Sequence, residues 1–437
     1  MNKKMGKYLV GFIGIVLLIA ITVLIKYTRN PFAREPFAKA PKSFVINLDT
    51  PPEHRWHELI NSIPKKDIED FAQNLQKVTQ KNTSPEMREH FGKLIQKNLI
   101  PNEYMREIRG MQESIQQKLG YIPESLSYEN LILFNLSYMF TISCSAAIIT
   151  DQEGMPYMLR NLDEPIDSLT IDFIRKITLN ITWLQNGKEL FKSTTWPFFV
   201  GALSGQRSHE FAIALNARHS DKDLPKDNIK YALNTDEVWS VPSLMRYALQ
   251  YAQNYREACT IFEKTKISAP SYIIIAGKDK YNGVIIARNR ENVHFTDTLK
   301  DWLTYYPTPH TPTNPKDAAS PSIRDPKESP TPYIAISNID SDYPENQDAE
   351  WACKGARCKP LLMEKKDSSI GPRYRRNTLL NACYKVPRPF TVKDLFHALW
   401  TPPATNEKTC FSAILCPAKN IFESYVIYPE FIRKTQS

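Results

Sequence analysis

Residues 134–163 read FNLSYMFTISCSAAIITDQEGMPYMLRNLD, and the fold turns on how this stretch is taken. It opens on an apolar run of helical character, Phe134 to Phe140, and passes through Ser143-Cys144 into a strand-forming run that ends at Thr150. A turn at Asp151 to Gly154 follows, then a returning strand from Met155 to Asp163. Turn chemistry between two runs of strand formers predicts a β-hairpin. A four-residue loop sets position 144 opposite about 161, and a slip of one residue decides which neighbouring side chain faces the thiol. In either register Cys144, Arg160, Asn161 and Asp163 meet at one edge of a sheet.

That meeting has a chemical use. If the backbone were cut between Ser143 and Cys144, Cys144 would carry a thiol of pKa about 8.5 and a free α-amine of about 7.7 to 8.0, so it could activate its own nucleophile. Arg160 would favour the thiolate, and Asp163 could orient the arginine or hold the amine. The same residues also allow a plainer reading, because a cysteine at a strand start is often a buried apolar filler.

The spacing resembles a known family. Cys144 stands sixteen residues before Arg160 and nineteen before Asp163, within R-N-x-D, as in acid ceramidase and the N-acylethanolamine-hydrolysing acid amidase. These are N-terminal-nucleophile hydrolases, related more distantly to bile-salt hydrolases and penicillin V acylase. Phe134-Asn135 and Tyr138 also match, whereas Met139 stands where the family has Glu. FVINLDTPPEHRWHEL from Phe44, Glu107 to Met111 (EIRGM), SAPSYIIIAG and GVIIARNR extend the likeness over about Phe44 to Tyr428.

The resemblance implies further site residues. Asn338, in SNIDSD, matches the family's oxyanion asparagine, and Asn216, in LNAR, falls where the family has L-N-E-R, with Ala217 replacing the acid. Arg375 matches an active-site arginine at a helix start, with Arg376 as a rival. Asn161 fills the Asn of R-N-x-D and joins Asn216 as an oxyanion or substrate-binding candidate.

Length and composition bound the rest. A chain of 437 residues with 42% hydrophobic content is long enough for one large core or two ordinary ones. The formal charge of +9 is spread along the chain rather than gathered into basic tracts with aromatics, which argues against nucleic acid and suits an anionic membrane surface. All seven cysteines lie at or after position 144, so no disulfide can tie the earlier segment to the later one. Cys353 and Cys358 could close a small loop in an oxidising compartment. They lack a second pair at zinc spacing, and His57-Glu58 fails HExxH because Asn61 occupies the last position. No metal or cofactor is expected.

In order, 1–29 reads as a signal peptide or signal anchor, with Leu9 to Ile25 apolar or small. Residues 30–42 read as a linker, and 43–143 as a helical, α-subunit-like segment that covers the later sheet. Residues 144–437 form the catalytic segment, where strands come in hairpin groups separated by helical pairs. Asn186-Gly187 is the strongest short hairpin signal. Thr195 to Ser204, TWPFFVGALS, suits either core or an acyl pocket. Residues 307–332, rich in proline, read as an exposed insertion.

Composition gives an α+β fold, and the resemblance implies the αββα sandwich of N-terminal-nucleophile hydrolases. It also implies hydrolysis of lipid N-acyl amides after autoproteolysis before Cys144, with the two fragments held as a noncovalent heterodimer. Ceramide is the first substrate candidate and N-acylethanolamine the second. A lipid-binding protein that keeps the fold without turnover is the competing class. Export is expected: periplasmic, secreted or membrane-anchored in a bacterium, lysosomal in a eukaryote.

Overall fold

The computed structural model describes residues 38–82, 85–139, 143–164, 168–218, 225–301, 332–338 and 372–428. Two sheets carry the architecture. Strands β1 (Ala38–Lys39), β3 (Ser143–Thr150), β4 (Pro156–Asp163), β12 (Tyr333–Ile336), β13 (Thr409–Cys416) and β14 (Ile421–Ile427) form one, in the order β1-β14-β13-β4-β3-β12. The other has eight strands in the order β11-β10-β9-β8-β7-β6-β5-β2. These are β2 (Lys42–Asn47), β5 (Leu179–Gln185), β6 (Lys188–Thr195), β7 (Ser204–Arg207), β8 (Phe211–Ala217), β9 (Ser271–Gly277), β10 (Gly283–Arg288) and β11 (Val293–Thr298). Pairing is antiparallel except between β2 and β5.

The period of two sorts the side chains. On β3, Cys144, Ala146 and Ile148 face the core between the sheets, while Ala147 and Ile149 face outward. Helices cover both outer faces. Among them, α1 (His57–Ser62), α2 (Lys65–Asn82), α3 (Pro85–Ile95), α4 (Asn102–Leu119) and α5 (Tyr128–Asn135) precede the nucleophile. After it come α6 (Ser168–Ile177), α7 (Pro225–Asn234), α8 (Val241–Tyr251), α9 (Tyr255–Lys264), α10 (Pro372–Lys385) and α11 (Val392–Leu399). The helices α10 and α11 lie on the first sheet through Leu379, Cys383, Phe396 and Leu399, and α8 and α9 on the second. This is the αββα sandwich that the resemblance implied.

Local chemistry sets the element ends. Asn186 and Gly187 both take positive φ (52° and 69°), as a tight hairpin between β5 and β6 requires. Asn254 caps α9 by accepting from Glu257 N, and Thr391 with Asp394 forms a full capping box on α11.

The segment before Cys144 is mostly helical but does more than cover a sheet. Part of the expected linker is β1, which pairs with β14, while β2 pairs with β5, so this segment adds a strand to each sheet. Its helices are fastened by a buried charge cluster. Glu107 on α4 accepts from Arg246 Nη1 and Nη2 on α8 (both 2.6 Å), from Arg55 Nη1 (2.8 Å) and from Trp56 Nε1 (2.7 Å). The Arg246 guanidinium lies over Tyr104 and Trp183, 4.2 Å from each ring. Three residues on, Gly110 packs under the Glu53 carbonyl, which any Cβ there would overlap.

The TWPFFVGALS run leaves β6 at Thr195, crosses as buried coil and enters β7 at Ser204. Phe198 sits at φ 67°, and Asn135 of α5 holds it on both sides, donating to Phe198 O (2.9 Å) and accepting from Val200 N (2.7 Å). Phe198 packs against Phe71, and Phe199 against Phe134 and Trp196, so these rings fill core shared with the N-terminal helices. Among the described residues no helix is long and apolar enough to cross a membrane. The expected signal or anchor, the Cys353/Cys358 loop and all but the last residue of the proline-rich insertion lie outside the described residues.

Candidate active site

The site begins with a register correction. Cys144 pairs with Leu162, Ser145 with Asn161 and Ala146 with Arg160, one residue away from the expected alignment. The cause is Asp151, whose Oδ1 accepts from Glu153 N (3.0 Å) and Met155 N (2.9 Å). Met155 therefore stays in the turn, and pairing starts at Thr150 with Pro156. Arg160 and Leu162 consequently share the thiol's face, while Asn161 and Asp163 point to the α10 and α11 side.

On the thiol's face, Arg160 bolts the two sheets together. It is fully buried and donates to Asn216 Oδ1 (2.8 Å), Asn161 O (2.7 Å), Leu215 O and Ser204 Oγ (3.3 Å). Asn216, in turn, gives its amide to Ser337 O (3.1 Å). It braces Arg160 and the strand end that carries Asn338, and does not itself turn toward the thiol.

On the other face, Asp163 accepts from Arg375 Nη1 (2.9 Å), Thr409 Oγ1 (2.7 Å) and Asn406 Nδ2 (3.4 Å). Burial still holds its carboxyl above the usual range, against the pull of Arg375 and Thr409. The structure brings Arg375 here; Arg376 instead donates to Ala335 O from the neighbouring position. Asn161 is drawn off to Leu399 O, Ala404 O, Thr405 Oγ1 and Ser412 Oγ, where it fastens the segment after α11. It is not gathered with the thiol.

Asn338 closes the site. The antiparallel register of β12 and β3, continued two residues past β12, sets it opposite Cys144. Its Oδ1 accepts from Cys144 N (2.9 Å) and from Arg375 Nη2 (2.7 Å), and its Nδ2 donates to Ala217 O (2.8 Å). A flipped amide would face two donors with its own NH2 and a carbonyl with its oxygen, so the orientation is fixed. In this arrangement the Asn338 oxygen faces the main-chain nitrogen of Cys144.

The thiol is fully buried beneath this frame. Burial pushes it up to about 11, against the opposing pull of Arg160, so the thiol stays protonated at neutral pH. The uncut chain is therefore expected to resist iodoacetamide at Cys144 below about pH 8, while cut protein is labelled there. Peptide mapping before and after acid incubation checks this; equal labelling of both forms would contradict it. Sequence reasoning also passed over Thr409 and Asn406, which complete the Asp163 shell from 246 and 243 residues away. A sequence has no local signal for partners at that distance.

Two groups of known proteins resemble the chain. A family model described as the beta subunit of N-acylethanolamine-hydrolyzing acid amidase matches residues 39–99. The chain is 28% identical to the N-acylethanolamine-hydrolyzing acid amidase of Caenorhabditis elegans over 254 residues, 58% of this chain and 68% of that protein. It is 25% identical to the acid ceramidase of Heterocephalus glaber over 406 residues, 88% of this chain and 85% of that one. A solved Caenorhabditis elegans N-acylethanolamine-hydrolyzing acid amidase ortholog superposes with a TM-score of 0.45 at 24% identity, covering 65% of this chain and all of that one. A match over 406 residues must run through both sides of Cys144. The chain is similar to acid ceramidases and to N-acylethanolamine-hydrolyzing acid amidases.

Proposed function

We propose that the protein hydrolyses the amide bond of lipid N-acyl amides, with Cys144 as the nucleophile after the chain cuts itself between Ser143 and Cys144. The observation that carries this is the bond from Cys144 N to Asn338 Oδ1. A freed α-amine at that nitrogen would already have its acceptor in place, with Asn338 itself fixed by Arg375. The amine takes the thiol proton as sulfur attacks the acyl carbonyl, then returns it to the leaving nitrogen as the C–N bond breaks. Water cleaves the thioester and releases the fatty acid. Arg160 favours the thiolate, and Asp163 with Arg375 keeps the strand end in place. Export and a membrane-surface substrate belong to the same reading.

Ceramide is the favoured substrate, because likeness to an acid ceramidase covers 88% of this chain. N-acylethanolamine is the second, favoured by the family model over residues 39–99. Mass spectrometry after acid incubation should find fragments of 143 and 294 residues from the full chain of 437, the larger starting at Cys144. A parallel assay on ceramide and N-palmitoylethanolamine ranks the two lipids. An intact chain that turns over neither would leave the lipid-binding alternative.

A further inference from the structure

Arg175 of α6 lies outside the frame around Cys144, and its side chain has no exposed surface. A buried guanidinium is costly unless its donors are used, and most of these go to the main chain of a single turn. Nε and Nη2 donate to Thr409 O (3.0 and 2.8 Å) and Nη2 also to Glu407 O (2.8 Å), while Nη1 meets Asp172 (2.8 Å), itself 52% exposed. Arg175 therefore pins the turn at 406–409.

That turn is closed and aimed. Thr409 N donates to Asn406 O (3.0 Å) and Lys408 N to Asn406 Oδ1 (2.9 Å), while Lys408 O accepts from Glu164 N (2.9 Å). Asn406 N donates to Thr409 Oγ1 (3.0 Å), which leaves the hydroxyl proton for Asp163 Oδ1 (2.7 Å). With its oxygen committed to Lys408 N, the Asn406 amide turns its NH2 toward Asp163 Oδ2 (3.4 Å). A bulge between Thr409 and Phe411 keeps Thr409 opposite Asp163. Asp163 in turn accepts from Arg375 Nη1 (2.9 Å), and Arg375 Nη2 holds Asn338 Oδ1 (2.7 Å).

We infer that the 406–409 turn, pinned by Arg175, is the positioning device of this site: through Thr409 and Asn406 it keeps Asp163 an ionised carboxylate aimed at Arg375, and through Arg375 it fixes Asn338 against Cys144 N. Thr409, Asn406 and Arg175 are positioning residues. This deepens the hydrolase reading and rests on it for its catalytic meaning. All of these residues follow position 144, so the proposed cut leaves the device whole.

Burial works against the device, holding the Asp163 carboxyl above its ordinary range despite Arg375 and Thr409. Asp163 is also within electrostatic reach of Arg160 on its own strand, Cys144 of β3 and Cys410 of β13, and the variants below change none of these. The test compares melting temperature and turnover of Thr409→Val, Thr409→Ser and Arg175→Met with the unsubstituted full chain between about pH 4 and 8, at one protein concentration. Protonated Asp163 needs a donor less than ionised Asp163 does. Without the hydroxyl its folded-state pKa rises further, so by linkage the Thr409→Val deficit in melting temperature grows with pH and is roughly halved at the acid end. Arg175→Met should show the same trend, smaller, and Thr409→Ser should show none. Turnover of Thr409→Val should fall about tenfold through kcat with KM little changed, and Thr409→Ser should restore it. Deficits flat with pH in both Thr409→Val and Arg175→Met, or an unchanged kcat in Thr409→Val, would overturn the inference and leave the hydrolase reading standing. If Thr409→Val does not fold, Arg175→Met carries both readouts. An unsubstituted chain that is neither cut nor active would instead sink that reading, and the pH course of the deficits would still decide whether the turn holds the charged carboxylate.

Discussion

Cys144→Ala is expected to leave the chain uncut and to lower fluorogenic-amide turnover to background, a loss of about 10⁴-fold or more. The same atom is asked to open the Ser143–Cys144 bond and to attack substrate, so one substitution removes both. The fold should survive. Cys144 is a small, fully buried group between Asn338 and Leu162, and alanine keeps the strand and loses only the sulfur. An intact band on a denaturing gel together with a near-normal melting curve is the expected pair of results. Residual turnover above about 1% of the unsubstituted protein would take Cys144 out of the mechanism, since the rest of the site would then be supplying the reaction without its nucleophile.

The largest effect on stability is expected from Glu107→Gln. This carboxylate accepts four bonds, two from Arg246 and one each from Arg55 and Trp56, with no exposure. Neutralising it leaves a buried Arg246 cation between two aromatic rings without its counter-charge, at a cost of about 3 to 5 kcal/mol. Replacing both partners by apolar residues of similar volume, Glu107→Leu with Arg246→Met, should cost less than the sum of the two single changes, because neither charge is then stranded. Denaturant unfolding of the four proteins measures the coupling. Single-variant losses below about 1 kcal/mol would mean that water reaches the cluster.

The sequence made the Cys144, Arg160 and Asp163 group legible because a hairpin ties their spacing to their geometry. It left the face unsettled, since the Asp151 side chain keeps one more residue in the turn than the turn composition suggests. Asn338 and Arg375 were legible only through resemblance, and their orientation was not legible at all. That orientation depends on a three-way fit of Cys144 N, Arg375 and Ala217 O, drawn from three distant parts of the chain. Asn161 and Asn216 carried the right residue type for site chemistry, yet both amides are committed to main-chain carbonyls. The pairing of Glu107 with Arg246 joins residues 139 apart, beyond what periodicity can report.

Strands β1 and β2 precede the proposed cut and hydrogen-bond to β14 and β5, which follow it. Once nicked, the molecule would have to separate two polypeptides in order to unfold, where the intact precursor unfolds as one. Its melting temperature should therefore climb with dilution reversed, higher in concentrated than in dilute samples, while the precursor's stays constant. Maturation would turn a first-order property into a second-order one without moving a single strand.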